Sequence, residues 1–260
     1  MAANIHPTAL VSPSAQLGDD CTIGAYTIIH DHVSLGSNST VEAFCELGYP
    51  QKDMGASPLV IGDHAHIRSY SLFYQGSIFG DHLHTGHRVT VREKTSAGRY
   101  FSVGTLGDIQ GHCQIGDYTR FHSNVHIGQK SSIGNFVWIF PYTVLTNDPH
   151  PPSYALVGVH VDDYAIIATM TTILPGVHIG SEALVGAMSL VNKDVPARTI
   201  VFGVPAKERG TVTQVMDAEG NAVYPWFPNN KDRYPAETEQ LWEAYLIARQ
   251  AQLNPDEGTL

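Results

Sequence analysis

A six-residue beat constrains this chain more than any other feature. An aliphatic residue recurs at Ile5, Val11, Leu17, Ile23, Ile29, Leu35, Val41 and Leu47. After a slip the beat resumes at Ile61 and runs to Ile139. After a second slip it returns at Val161 and runs to Val191, with Ala197 as a weak last beat. A short period sustained this far means stacked repeats, each too small to bury its apolar face alone. Each hexad supplies one short strand and one turn, and three hexads close a triangular coil. The first position points into the prism. The fifth also points inward, where space is tight, and is commonly small: Ala15, Cys21, Thr27, Ser39, Cys45, Ala65, Ser71. Glycine is frequent at the second position (Gly18, Gly24, Gly62, Gly116), where it is expected to tolerate the backbone angles of a tight corner.

The expected fold is all-β: a parallel β-helix of about ten triangular coils over residues 1–210, about 45 Å tall at roughly 4.8 Å per coil. The slips locate the loops. Residues 49–58 should bulge outward, and Thr146–His160, with Pro149, Pro151 and Pro152, should project. A long loop on a solenoid usually carries function. Residues 211–260 read as a small extension. It comprises a hairpin over Thr211–Tyr224, turning at Asp217–Asn221, and a helix over Ala236–Gln250 that starts behind Pro235.

No apolar run is long enough to span a bilayer, and the N-terminus lacks a signal-peptide pattern. All three cysteines fall at fifth positions, as packing residues rather than disulfide partners, so a reducing cytoplasm is the expected compartment. A net charge of −10 argues against nucleic acid or an anionic membrane surface as partner. Anionic small molecules would need local basic sites. Two groups of cations offer them: Lys193, Arg198, Lys207 and Arg209 near the end of the prism, and Arg88, Arg92 and Lys94 midway.

The stretch Ile173–Lys207, ILPGVHIGSEALVGAMSLVNKDVPARTIVFGVPAK, resembles the closing coils of hexapeptide-repeat acyltransferases that use acetyl-CoA. The resemblance implies a left-handed coil, although parallel crossovers in general favour the right hand. It implies acetyl-CoA or another acyl-CoA as co-substrate and no metal. It gives Ala168 and Ala187 as backbone N–H donors, Lys193 and Lys207 as phosphate partners, and Pro205 as packing for adenine. Ile167-Ala168-Thr169-Met170 departs from the family's usual IGA-N, which leaves room for a larger acyl chain.

The blocks Leu83–Lys94, Gly104–Gly111, Phe121–Gln129 and Val137–Ser153, with Tyr224–Trp226, resemble N-acyltransferases of nucleotide-linked amino sugars, especially the dTDP-3-amino-3,6-dideoxyhexose type. The reaction implied is acylation of the sugar amine for surface-glycan (lipopolysaccharide) synthesis, at sites between the subunits of a homotrimer. Thr146–His160 would reach across to a neighbouring subunit.

Of fourteen histidines, several, such as His6, His30 and His64, fall at corners and read as polar turns. His122 takes a second-position slot where glycine is commonest, two residues from Asn124, and is the first candidate for a general base. His84 and Asn124 are candidates for orienting the amine. Arg92, Glu93, Gln51 and Lys52 are candidates for the nucleotide sugar.

The chain also resembles the UDP-N-acetylglucosamine O-acyltransferases of lipid A synthesis, in its N-terminal coils, the bulge after Leu47 and VDDYAII at Val161–Ile167. That family's HxxHD run reads Val125-His126-Ile127-Gly128-Gln129 here, and its HQF reads Leu174-Pro175-Gly176. A γ-type carbonic anhydrase is a third reading, with His82, His84, His87, His122 and His126 as conceivable zinc ligands. A non-catalytic scaffold is the fourth.

Overall fold

The computed structural model describes residues 1–52 and 54–253. The chain divides into two compact units, Met1–Gly210 and Thr211–Leu260.

The first unit is a left-handed β-solenoid with three parallel sheets of twelve, ten and nine strands. From Thr22–Ile23 to Leu190–Val191 each short strand pairs with the strand three earlier in the chain, one coil away, whereas Thr199–Phe202 pairs with Leu184–Val185, two earlier. The register is strict. Thr22, Thr40, His66, His84, Ser102, Arg120, Trp138, Ile166, Leu184 and Ile200 fall in one outward column. Leu72, Thr90, Asp108, His126, Val144, Thr172 and Leu190 fall in another. A residue's place in its hexad therefore fixes its neighbours one coil up and one coil down.

The first-position residues form the core. Ile23, Ile29, Val41, Leu47, Ile61, Ile67, Ile127, Ile139, Ile167 and Val185 are buried. The first coil leaves Ile5 exposed and Val11 and Leu17 half-buried. Fifth-position Ser and Thr are also buried, and their hydroxyls bond turn carbonyls, so the core holds polar atoms without leaving them unsatisfied. Thr27 donates to Glu42 O at 2.7 Å, Thr119 to Gly134 O at 2.7 Å and Ser131 to Gly128 O at 2.7 Å. Where the first slot shrinks to Ala97, the fifth slot of the same coil grows to Phe101, which packs edge-on against Phe121 at 5.1 Å. The buried thiols of Cys45 and Cys113 are pushed up to about 11 by burial, and all three cysteines are unpaired.

The corners work differently from expectation. Second-position glycines, Gly48 before the first loop excepted, do not carry positive φ. They are small because the next coil passes close by: a Cβ on Gly86 would stand 2.1 Å from the backbone nitrogen of Thr105. The left-handed backbone falls at the fourth position instead, on residues such as Tyr26, Asn38, His82, Tyr100, Asn124 and Tyr164. This uncommon conformation repeats at every coil, so its side chains stack. His64, His82, Tyr100, Tyr118, Phe136 and Tyr164 form one continuous ladder with ring centroids 4.8, 4.2, 5.0, 4.8 and 4.8 Å apart.

Both expected loops are present. No strand lies among the described residues between Glu46–Tyr49 and Leu59–Ile61, or between Val144–Leu145 and His160–Val161. The second loop is ordered by its own polar groups. Asp148 accepts from the Ser153 hydroxyl at 2.6 Å and from the backbone N–H groups of Ser153 and His150. Lys130 Nζ donates to Leu156 O at 3.1 Å.

In the second unit a bridge joins Met216 and Ala222 around a turn in which Asp217 accepts from the backbone of Glu219 and Asn221. The helix spans Thr238–Leu253, starting two residues later than expected and ending three later. Phe227 packs on Trp242, and both are buried.

Candidate active site

The outward columns bring together two groups of functional side chains. The first lies on the ten-stranded sheet. His126 and Asp108 occupy the same slot on neighbouring strands, one coil apart, and His126 Nδ1 lies 3.0 Å from Asp108 Oδ2. Gln110, two residues beyond Asp108, donates its side-chain N–H groups to both carboxylate oxygens at 2.8 and 2.7 Å. The bond to His126 holds the Asp108 carboxyl below its usual range. Burial opposes this, while Gln110 and the charge of Arg92 assist it. An ionised Asp108 that accepts from Nδ1–H leaves Nε2 as the basic nitrogen, the tautomer a general base requires.

The long loop emerges beside this pair. A Cβ on Gly128 would lie 2.7 Å from Leu145 O and 3.0 Å from Asn147 Cβ, so the loop's first residues close the space over Gly128. A histidine could not stand there without displacing them.

The second group lies on the twelve-stranded sheet. His122 stacks on Phe140 (4.7 Å, 14°) and approaches Trp138 at 5.8 Å, and its ring makes no hydrogen bond to another described residue. Burial, then the Arg120 charge, hold it below the usual histidine range. It forms an aromatic wall held by stacking on Phe140, with no hydrogen-bond partner among the described residues to set its tautomer. His84 stands edge-on to His66 at 5.2 Å. Burial, then the electrostatic influence of His66, Arg68 and Arg120, pushes it down too. Asn124 takes a positive-φ corner position and its N–H donates to Thr105 O. His122, Asn124 and His84 thus do not form a hydrogen-bonded constellation; His126 and Asp108 do. The pair stands one full coil, eighteen residues, apart in the sequence, and that spacing is its only signal there.

The candidates for the nucleotide sugar divide. Arg92 pairs bidentately with the buried Glu93, at 3.2 and 3.1 Å, and lies over the Tyr74 ring. Glu93 is thereby consumed in holding Arg92. Gln51 receives a hydrogen bond from Gln75 on its carbonyl, and Lys52 is exposed. Arg88 belongs to a different corner from Arg92 and Lys94, across the strand Thr90–Val91, where it lies over Tyr70. The midway cations are therefore not one patch.

At the end of the solenoid, Lys193, Pro205 and Lys207 line one cavity of about 450 Å³ with Asn192, Asp194 and Glu208. Two lysines in a cavity suit a phosphate-bearing ligand. The two amide candidates differ. Ala168 N–H already donates to Val185 O at 2.9 Å, so it cannot serve a thioester oxygen. Ala187 is exposed, and its N–H makes no hydrogen bond to another described residue.

None of the five histidines considered as zinc ligands joins a converging set among the described residues. The one convergent group there is His160, Asp162 and His178. No helix among the described residues is long and apolar enough to cross a membrane.

A left-handed solenoid of hexads is the architecture of hexapeptide-repeat proteins. Residues 3–48 match the family model described as bacterial transferase hexapeptide (six repeats). The chain is 30% identical over 229 residues to the acyl-[acyl-carrier-protein]–UDP-N-acetylglucosamine O-acyltransferase of Stutzerimonas stutzeri, covering 83% of this chain and 77% of that protein. It is 31% identical over 221 residues to the enzyme of the same name from Pseudomonas aeruginosa, with the same coverage. The solved UDP-N-acetylglucosamine acyltransferase from Arabidopsis superposes with a TM-score of 0.68 at 19% identity, covering 98% of this chain and 85% of that one, a likeness of fold. The chain belongs to the hexapeptide-repeat acyltransferase family that contains these O-acyltransferases. The relatives named acylate oxygen, not the amine to which the sequence resemblance gave first place.

Proposed function

We propose that this protein transfers an acyl group from a phosphopantetheine-borne thioester to a hydroxyl of a UDP-linked N-acetylated amino sugar, as an early step of lipid A-type glycolipid synthesis. The 30% identity carried through 83% of the chain to enzymes of that activity carries the reading. His126 supports it as the base. Its Nε2 takes the proton of the acceptor hydroxyl as the oxygen attacks the thioester carbon. The C–S bond then breaks, and the proton passes from His126 to the departing thiolate. Asp108 orients His126 and stabilises the imidazolium, and Gln110 holds Asp108 in place. The free Ala187 N–H is the candidate donor to the thioester oxyanion. Lys193 and Lys207 are candidates for the donor's phosphate, and Arg92 for the nucleotide. We place the working sites in a homotrimer, with the loop 146–160 contributing beside His126.

One observation favours N-acylation of a nucleotide-linked amino sugar as a second reading. Counted from His126, the O-acyltransferase HxxHD run has Gln129 in the place of its second histidine and Lys130 in the place of its aspartate, so two of that motif's polar groups are missing here. Mass spectrometry distinguishes the two. The enzyme is given acyl carrier protein or CoA thioesters of several chain lengths, with UDP-N-acetylglucosamine or dTDP-amino sugars. An ester product on the UDP sugar supports the proposal. An amide on an amino sugar, with no ester, replaces it by the second reading.

A further inference from the structure

His160 and His178 occupy the same outward slot on neighbouring strands of the nine-stranded sheet, His160–Val161 and His178–Ile179. Their rings stand 4.7 Å apart at 61°. Asp162 lies between them. Its Oδ1 is 2.8 Å from His160 Nε2, and its Oδ2 is 2.8 Å from His178 Nε2. A second carboxylate secures the arrangement: Asp194 Oδ1 accepts from the His178 backbone N–H at 2.8 Å. The three side chains are partly exposed, at 53%, 30% and 48%, so solvent ions reach them. Nothing in the acyl-transfer account uses them.

We propose that His160, Asp162 and His178 bind one divalent transition-metal ion. The three donor atoms lie within 4.8 Å of one another, and among the described residues no other group of three or more does so. Two imidazole nitrogens and a carboxylate are a donor set for nickel, cobalt or zinc rather than for calcium or magnesium. Each Nε2 stands 2.8 Å from a different oxygen of Asp162; with both atoms about 2.1 Å from a metal such a pair subtends about 84°, near the angle of neighbouring octahedral ligands, so both oxygens of Asp162 face the ion. To bind the ion each imidazole loses its Nε2 proton and holds one on Nδ1, any excess proton going to solvent, and its ring turns by about 48° from the line to Asp162 so that the freed lone pair meets the ion. Water completes the coordination on the exposed side. This departs from the metal-free chain that the sequence resemblance implies.

The position gives the ion a role. His160 is the residue at which the long loop returns to the solenoid, and His178 lies on the next coil. A bound ion clips the loop's return to the coil above it, independently of the reaction proposed above.

The test uses tag-free full-length protein, stripped with a chelator and titrated with nickel or cobalt chloride by calorimetry, with the visible spectrum of bound cobalt as a second signal. The expected result is one equivalent per chain, a melting temperature raised by the metal, and loss of both effects in His160→Ala and in His178→Ala. His30→Ala, which breaks the single pair of His30 with Glu46, keeps the site. Asp162→Asn retains both imidazoles and binds more weakly, which keeps the test decisive should a histidine variant fold poorly. Absence of saturable binding, or undiminished binding in the His160, His178 and Asp162 variants, overturns the proposal.

Discussion

Asp108 grips His126 from one coil below, Oδ2 to Nδ1 at 3.0 Å, and Gln110 fastens both oxygens of that carboxylate. The parallel stacking of coils makes such a pair possible, since residues eighteen apart become neighbours in register.

Asp108→Asn keeps the shape but offers His126 an amide, which can hold the wrong tautomer. The expected outcome is a fall in kcat of about 10²–10⁴-fold with KM for both substrates nearly unchanged. Steady-state kinetics with circular dichroism as a folding check measure it.

Glu42 makes stability depend on acid. Burial pushes its carboxyl up, but hydrogen bonds from the Ser69 hydroxyl and backbone N–H, and from His66, outweigh it and hold it at about 2, against an ordinary value of 4.5. A depressed folded-state value stabilises the protein fully above pH 4.5, and that contribution is lost as pH falls toward 2. Screening limits it to about 1 kcal/mol, because the carboxylate is partly exposed. Urea midpoints measured between pH 2 and 5 should therefore fall less steeply in Glu42→Gln than in the parent chain.

The core should respond to volume by position. Phe101→Ala removes a fully buried ring that fills the room left by Ala97 and should cost about 3–5 kcal/mol in denaturant unfolding. Ile5→Ala, on the exposed end coil, should change stability by no more than about 0.5 kcal/mol. Comparable losses at both sites would contradict the assignment of the inner face.

Lys193→Ala and Lys207→Ala should each raise KM for the thioester donor several-fold and leave KM for the nucleotide sugar unchanged, because both line one cavity. The effect should shrink at high salt, as expected of phosphate contacts.

The hexad beat made the solenoid, its slips and its inner face legible. Period and burial are one-dimensional properties here, and each coil reads only its neighbours. The corners were misassigned, because a period cannot separate close approach, which requires Gly86, from positive φ, which falls on residues such as Tyr100 and Asn124. Lys193, Pro205 and Lys207 were legible as a group because they lie close in sequence. The pairs that matter across coils were not. His126 with Asp108, and His160 with His178, meet only through the register, while His122 drew attention by its slot and proves to be stacked on Phe140.

The most direct test of the account compares His126→Ala with His122→Ala on the same acyl-transfer reaction, with donor binding measured for both. The account predicts a loss of about 10²–10⁴-fold in kcat for His126→Ala with donor binding retained, and a loss of less than about tenfold for His122→Ala. The reverse order, with His122→Ala inactive and His126→Ala near the parent rate, would contradict it.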